Sequence, residues 1–216
     1  MTTQSQLRLD VWSDYVCPFC YLEVPFIDRL HEEFGPGLQV DWHAFELRPE
    51  PVPMLDPDGE YLHRVWNQSV YPMARQRGMT LKLPPVQPRS RRAFELAEFA
   101  RAKGRFDEAH RALFKAFFED GRDLNNIEVL LEIGAEVGLD TKHLRAALEQ
   151  GTYLKRVIDD ERQAQELDIS AVPTTMVRRA DAALEKALVI RGAQAYDVLK
   201  AAAERAMRRE SFSAVR

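Results

Sequence analysis

The chain has 216 residues, of which 45% are hydrophobic and 30% charged, as in globular proteins with an apolar core. Its formal net charge is −4, and acidic and basic residues alternate along the chain, which argues against a basic nucleic-acid-binding face. No apolar run approaches the roughly 20 residues that span a bilayer. The polar stretch from Met1 to Gln6 does not resemble a signal peptide. We therefore expect a cytoplasmic protein without membrane or nucleic-acid partners.

The first fifty residues predict a strand, a helix and a second strand. Apolar and polar residues alternate over positions 7–12 and again over 38–45, as in half-buried strands. Between them the helical period begins at Pro18 and stops at Gly35–Pro36–Gly37. A Pro-rich linker at 49–59 follows.

The middle of the chain predicts a block of helices, and the end returns to strands. Helical patterns cover 61–77, 91–103, 106–118, 126–137, 141–149 and 153–167. Asp140 and Gly151 stand where a helix should begin and end. We interpret the basic run 89–92 as a solvated helix start rather than a polyanion site. Strands are predicted at 173–178 and 187–190, and a helix at 195–207.

The chain has two cysteines, Cys17 and Cys20, three positions apart. A disulfide across so short a loop would restrict the unfolded chain very little, so a chemical role is favoured over a stabilising one. Structural zinc needs four ligands, and the five histidines show no paired ligand spacing. The pair therefore predicts a redox dithiol and no metal site, with inert thiols as the remaining alternative.

The position of the dithiol at a helix start suggests a role for each sulfur. With Cys17 as N-cap and Pro18 as the first helical residue, the amides of Phe19 and Cys20 can point at the Cys17 sulfur. These donors and the helix dipole favour an anionic thiolate at Cys17. Cys20 lies one turn on, within disulfide reach. Cys17 is thus the predicted nucleophile and Cys20 the resolving thiol.

Several segments together carry a resemblance to a known family. The run 12–21 around Cys17-Pro-Phe-Cys20, the segments 114 and 117–123, the run 169–174 and the turn 191–194 occur in matching order. The chain resembles the DsbA-like family, and within it the FrnE-like branch. The resemblance implies an α/β fold of thioredoxin-like type, a central mixed β-sheet flanked by helices. It also implies that residues 1–58 and 152–216 form that domain, and that 59–151 form an inserted all-α helical domain.

The resemblance also implies a cis bond between Val172 and Pro173, with Pro173 beside the dithiol as a catalytic residue. The Val172 backbone would then be free to pair with an extended peptide. We expect Pro18 and Phe19 to contact substrate as well. The Pro-Phe pair between the cysteines replaces the Pro-His of the periplasmic oxidants, so their oxidising strength is not transferred.

Other residues near the site carry weaker expectations. Asp14 and Ser13 precede the dithiol and could tune its charge, although we interpret Asp14 as an exposed loop acid. His43 and Glu46 could relay protons, but satisfied residues at a strand end are the favoured interpretation. Trp12, Trp42 and Phe45 alternate on the strands and are predicted to be core residues.

The predicted function is that of a protein disulfide oxidoreductase or isomerase acting on disulfide- or thiol-containing proteins or small thiols. No tightly bound cofactor is expected, and glutathione is a candidate redox partner. One alternative is a glutathione-dependent isomerase or a kappa-class glutathione transferase-like enzyme, in which the helix start activates glutathione's thiol. The other is a holdase chaperone. The sequence leaves the direction of exchange and the oligomeric state open.

Overall fold

The computed structural model describes residues 6–208. The strands are β1 (Leu7–Ser13), β2 (Leu38–Ala44), β3 (Thr174–Arg179) and β4 (Leu188–Arg191). The helices are α1 (Pro18–Phe34), α2 (Glu60–Val65), α3 (Tyr71–Gln76), α4 (Arg91–Ala102), α5 (Phe106–Phe118), α6 (Ile127–Glu136), α7 (Thr141–Gln150), α8 (Leu154–Glu166) and α9 (Tyr196–Arg208). Within these described residues no helix combines the length and apolarity needed to cross a membrane.

The four strands form one mixed sheet in the order β2-β1-β3-β4. β1 and β2 are parallel, with Leu7 opposite Leu38 and Ser13 opposite Ala44, and α1 provides the crossover between them. β3 runs antiparallel to both β1 and β4. The prediction of a central mixed sheet flanked by helices is confirmed.

Two large apolar clusters hold the fold together. One packs β1 against α1 and α9, through residues such as Leu9, Ile27 and Leu199. The other joins the dithiol turn to the helices that follow β2, and it contains both Cys20 and Phe114. The division into a domain of residues 1–58 with 152–216 and an inserted domain of 59–151 stays a prediction. Because the second cluster includes residues from both parts, their contact is a continuous core.

The helix predicted over 61–77 contains an irregular turn. α2 and α3 are joined by a π-helical turn, Trp66–Val70, in which the amide of Tyr71 bonds the carbonyl of Trp66 five residues back. Pro72 explains the irregularity, because proline has no amide with which to continue the α-helical hydrogen bonds and its ring crowds the preceding turn. The periodic pattern did not reveal this widening.

The basic run 89–92 does open a helix, but only part of it is solvated. Arg91 pairs with Glu46 at 2.7 Å and with Glu161 at 3.4 Å. Arg89 donates to the carbonyl oxygens of Arg48 and Val52. Arg89 and Arg91 fasten the start of α4 to the segment after β2 and to α8, so the solvated interpretation was wrong for these two, whereas Arg92 is exposed. The burial of these two arginines depends on residues distant in sequence, which the pattern of the run itself does not indicate.

The predicted aromatic core of the sheet is present. Trp12 is completely buried and stacks on His43 with ring centroids 4.4 Å apart. Trp42 and Phe45 are partly buried and pack against the apolar clusters. The three residues are therefore core residues, as predicted.

His43 joins the sheet to α8. One ring nitrogen lies 3.0 Å from a carboxylate oxygen of Asp160 and the other 3.4 Å from one of Asp10. Asp160 also accepts a hydrogen bond from the Ala44 amide at 3.1 Å. Burial lowers the pKa of His43, but the hydrogen bonds and charges of Asp10 and Asp160 outweigh it, so its pKa lies above the ordinary 6.5. An imidazole between two carboxylates therefore ties β2 to α8.

Replacing His43 should destabilise the protein in a pH-dependent way. A His43→Gln substitution removes the imidazole that bridges Asp10 and Asp160, which keep only their arginine partners, Arg178 and Arg156. We expect a loss of roughly 1–3 kcal/mol in the free energy of unfolding. Because folding raises the pKa of His43, its contribution is fully present below pH 6.5 and disappears as the pH rises through the folded-state pKa. Urea unfolding of both proteins over a pH series should show the largest deficit on the acidic side. His31→Gln, at an exposed position on α1, is the control, and a deficit that grows with pH would contradict this account.

Candidate functional site

The dithiol lies at the start of α1, directly after the turn that leaves β1. Cys17 is the N-cap, with φ −96° and ψ 113°, and Pro18 occupies the first turn. Cys17 and Cys20 come within 3.5 Å of each other and are both free thiols. Cys17 is 4% exposed, while Cys20 is completely buried. The two sulfurs therefore have unequal access to solvent, and Cys17 is the one nearer to it.

The Cys17 sulfur faces a loop on the opposite side of the site rather than its own helix. Its thiol donates to the carbonyl oxygen of Val172 over 3.6 Å. The bond between Val172 and Pro173 is cis, as the resemblance implies. In the described chain the Cys17 side chain accepts no capping hydrogen bond, so the expected contacts from the Phe19 and Cys20 amides are absent here. A protonated thiol is a donor, and a carbonyl oxygen is the better partner for it.

Cys20 is held in an environment that favours the neutral thiol. Burial raises the pKa of Cys20 well above the ordinary 9.0, and the neighbouring Cys17 raises it further. The Asp14 amide, which donates to the Cys20 sulfur over 3.4 Å, and the nearby Ser13 hydroxyl act in the opposite direction. Both residues that were candidates for tuning the dithiol therefore lie against the Cys20 sulfur.

Asp14 is buried, so its interpretation as an exposed loop acid was wrong. Its side chain is 0% exposed, and its carboxylate accepts hydrogen bonds from the amides of Val16 at 3.2 Å and Leu47 at 2.7 Å. Burial raises the pKa of Asp14 to about 7, against the lowering effect of these amides. The sequence indicated an acid in a turn, but it did not indicate that the segment after β2 covers it.

Cys17 opens into an apolar pocket of about 250 Å³ between the dithiol and the helices that follow β2. The pocket brings together the predicted residues Cys17, Pro18, Phe19 and Val172. Pro173 is buried and is not among the residues that line the pocket. The remaining walls include residues that sequence reasoning did not single out, among them Arg48, Leu55, Tyr61, Leu62, Val65 and Trp66. Helical periodicity could mark their faces but not the cavity they enclose.

A second buried acid, Glu23, lies one turn beyond Cys20. It is 1% exposed, and neither of its carboxyl oxygens has a hydrogen-bond partner in the described structure. Burial raises the pKa of Glu23 to about 8, and the charge of Arg77 partly opposes this. The guanidinium of Arg77 donates to the carbonyl oxygens of Leu22, Ala193 and Gln194. An acidic residue in the apolar stripe of α1 was the sequence signal that could have indicated this site.

His43 and Glu46 have separate partners, which favours their interpretation as satisfied residues over a proton relay. His43 lies between two aspartates, and Glu46 pairs with Arg91. Across residues 6–208 no group of three or more His, Cys, Asp or Glu side chains is arranged to hold a metal ion. What the site offers chemically is therefore a pair of adjacent thiols, one buried and one facing an apolar pocket.

Comparison with known proteins identifies the family. The DSBA-like thioredoxin domain matches residues 8–204, which is most of the chain. The protein belongs to the DSBA-like thioredoxin domain family. The YwbO protein of Bacillus subtilis, which is described as uncharacterized, is 36% identical over 179 residues, covering 79% of this chain and 86% of YwbO.

Two solved structures place the fold within the same family. A probable DsbA oxidoreductase from Streptomyces coelicolor is 25% identical with a TM-score of 0.75, covering 93% of this chain and 89% of its own. DsbM of Pseudomonas aeruginosa, described as a cytosolic disulfide reductase and crystallised with glutathione, has 22% identity and a TM-score of 0.68, with coverage of 93% and 99%. The thioredoxin-like fold of the DsbA-like family is confirmed, while the FrnE-like branch stays a prediction.

Ionisation of Asp14 should change the acidity of Cys20. Burial raises the pKa of Asp14 to about 7, so above that pH most of its carboxyl groups are ionised. The amide of the same residue contacts the Cys20 sulfur, and we expect a negative charge on the nearby side chain to disfavour the Cys20 thiolate. In a Cys17→Ser background, we expect Asp14→Asn to lower the pKa of Cys20 by roughly one unit, the size typical of a removed like charge. Thiolate ultraviolet absorbance followed over a pH series measures this. Asp197→Asn, on the exposed start of α9, should leave the titration unchanged, and an unaltered curve in Asp14→Asn would refute the coupling.

Proposed function

We propose that this protein is a dithiol–disulfide oxidoreductase in which Cys17 attacks substrate disulfides and Cys20 resolves the mixed disulfide. The observation that carries the proposal is the inequality of two thiols within 3.5 Å of each other, since Cys17 opens into a pocket and Cys20 is closed off. A substrate sulfur can approach only the first. Membership of the DSBA-like family supports the same chemistry.

The exchange proceeds in two steps that conserve electrons. The Cys17 thiolate attacks one sulfur of a substrate disulfide, forming a mixed disulfide while the other substrate sulfur leaves as a thiolate that takes up a proton. The Cys20 thiolate then attacks the Cys17 sulfur, and the second substrate sulfur departs in the same way. The substrate gains two electrons and two protons, and the protein holds a Cys17–Cys20 disulfide. Oxidation of a substrate dithiol reverses these steps.

We infer that the residues around the dithiol bind the substrate and adjust the pKa of the thiols. Val172 offers its backbone to an extended substrate: its carbonyl already contacts the Cys17 thiol, and its amide makes no backbone hydrogen bond within residues 6–208. Phe19 and Pro18 contribute apolar surface beside the reacting sulfur. Pro173 holds the loop that presents Val172. The Ser13 hydroxyl and the Asp14 amide lower the pKa of Cys20 and so favour its thiolate.

A thiol of low molecular weight such as glutathione is the reductant that we propose for the oxidised dithiol. DsbM, a cytosolic disulfide reductase of the same fold, was crystallised with glutathione, which supports a reductive cycle in the cytoplasm with glutathione as partner. Residues 59–151 would act as an inserted helical domain that supplies the far wall of the pocket. The presence of two adjacent thiols favours this cycle over the glutathione-dependent isomerase alternative.

Loss of the nucleophile should abolish disulfide reduction. We expect Cys17→Ser to lower the rate of glutathione-disulfide or peptide-disulfide reduction by at least ~100-fold, because the Cys20 thiol does not line the pocket and cannot replace the pocket-facing thiolate of Cys17. Cys20→Ser should still attack and then stall, so intact-mass spectrometry should detect an accumulated mixed disulfide on Cys17. Full activity of Cys17→Ser would refute the proposal in favour of a glutathione-dependent isomerase, a kappa-class transferase-like enzyme or a holdase.

A further inference from the structure

A second pocket of about 250 Å³ lies next to the pocket beside Cys17. The two pockets share Trp66 and Pro84, which form a common wall between them. The second pocket is lined otherwise by residues of different character, with Asp58, His63, Asn67 and Tyr71 among them. An apolar cavity containing the reactive sulfur and a more polar one therefore lie side by side, with the buried residues Trp66 and Pro84 as their shared wall.

The π-helical turn between α2 and α3 contributes Trp66 to this shared wall. The turn begins at Trp66, whose side chain is 2% exposed, and includes Asn67, which is exposed. Widened turns of this kind are found frequently at functional sites. Here the widened turn lies where the two pockets meet. An unbroken α-helix would place Trp66 and Asn67 differently.

We propose that the second pocket is a substrate subsite, which takes a basic side chain of an extended polypeptide whose apolar residue fills the pocket beside Cys17. The proposal rests on the dithiol–disulfide exchange described above and names its substrate class. Asp58 gives the subsite its charge preference: it is the one carboxylate among the residues that line this pocket, and its side chain is exposed and makes no ion pair within residues 6–208.

The sizes of the pockets favour a polypeptide over a small thiol. A cavity of about 150 Å³ lined by apolar side chains is large enough to bind benzene, so each of these pockets holds a side chain of aromatic size. A ligand that fills both pockets must pass the wall that Trp66 and Pro84 share. The amide of Val172, which makes no backbone hydrogen bond within residues 6–208, adds a contact that an extended peptide would use.

The test uses peptides that each carry one cysteine as a mixed disulfide with glutathione and a phenylalanine beside it. A lysine, an alanine or a glutamate is placed roughly two to five residues away on either side of the cysteine, at the spacing of an extended chain. The readout is kcat/KM for each peptide divided by kcat/KM for glutathione disulfide. At one position we expect lysine to exceed alanine by about twofold to fivefold, the range of an exposed ion pair.

Two variants separate charge from shape. Asp58→Asn should remove the lysine preference, and Asn67→Trp should fill the pocket and lower the peptide-to-glutathione-disulfide ratio through KM rather than kcat. Glu60→Gln, an exposed neighbouring acid that lines neither pocket, is the matched control and should keep the wild-type ratio. Thermal unfolding of each variant checks that it is folded.

The outcomes distinguish this inference from the function on which it rests. If no peptide position shows a lysine preference, or if the preference persists in Asp58→Asn, the subsite is refuted while disulfide reduction by Cys17 stands. If the wild-type protein reduces neither the peptides nor glutathione disulfide, the dithiol function itself fails. A ratio that favours glutathione disulfide over every peptide would overturn the polypeptide as substrate class.

Discussion

The carboxylate of Asp14, held by the amides of Val16 and Leu47, is the constraint from which the geometry of the site follows. It fixes the turn between β1 and α1 from inside the protein. It also joins that turn to the segment after β2, which covers it. The backbone of the same residue donates to the Cys20 sulfur. One buried side chain thus sets where the dithiol helix begins and how its second thiol is enclosed.

The enclosure produces the difference between the two cysteines. Cys20 is surrounded by apolar residues and has few groups that would stabilise a charge, whereas Cys17 lies at the mouth of a pocket and contacts the Val172 carbonyl. Exchange chemistry needs such a difference, because a substrate should reach one sulfur and be expelled by the other. The buried acids Asp14 and Glu23 lie on the same part of the fold. Their burial gives them raised pKa values, so the charge near the dithiol changes around neutral pH.

The sequence predicted the elements and the reactive pair, but not their surroundings. Strand alternation, the helical period and the cap at Asp140 were sufficient to predict the strands and most helices, since each depends on nearby residues. The mixed sheet was implied by the family resemblance. The burial of Asp14 depends on Leu47, more than thirty positions away, and the pairing of Arg91 with Glu46 spans a similar distance. The pocket walls come from separate helices. Periodicity describes one element at a time, so contacts between elements could not be derived from it.

Arg77 links the end of α3 to α1 and to the loop after β4, through carbonyl oxygens of Leu22, Ala193 and Gln194. Its guanidinium also lies 4.3 Å from the ring centroid of Phe26. Three acceptors and a ring contact on two separate segments restrain the helical wall against the dithiol helix. The pocket beside Cys17 is thereby preorganised. Most of the conformational entropy lost on binding would then be lost by a flexible partner. Discrimination among partners would then depend on how well each fits a fixed shape.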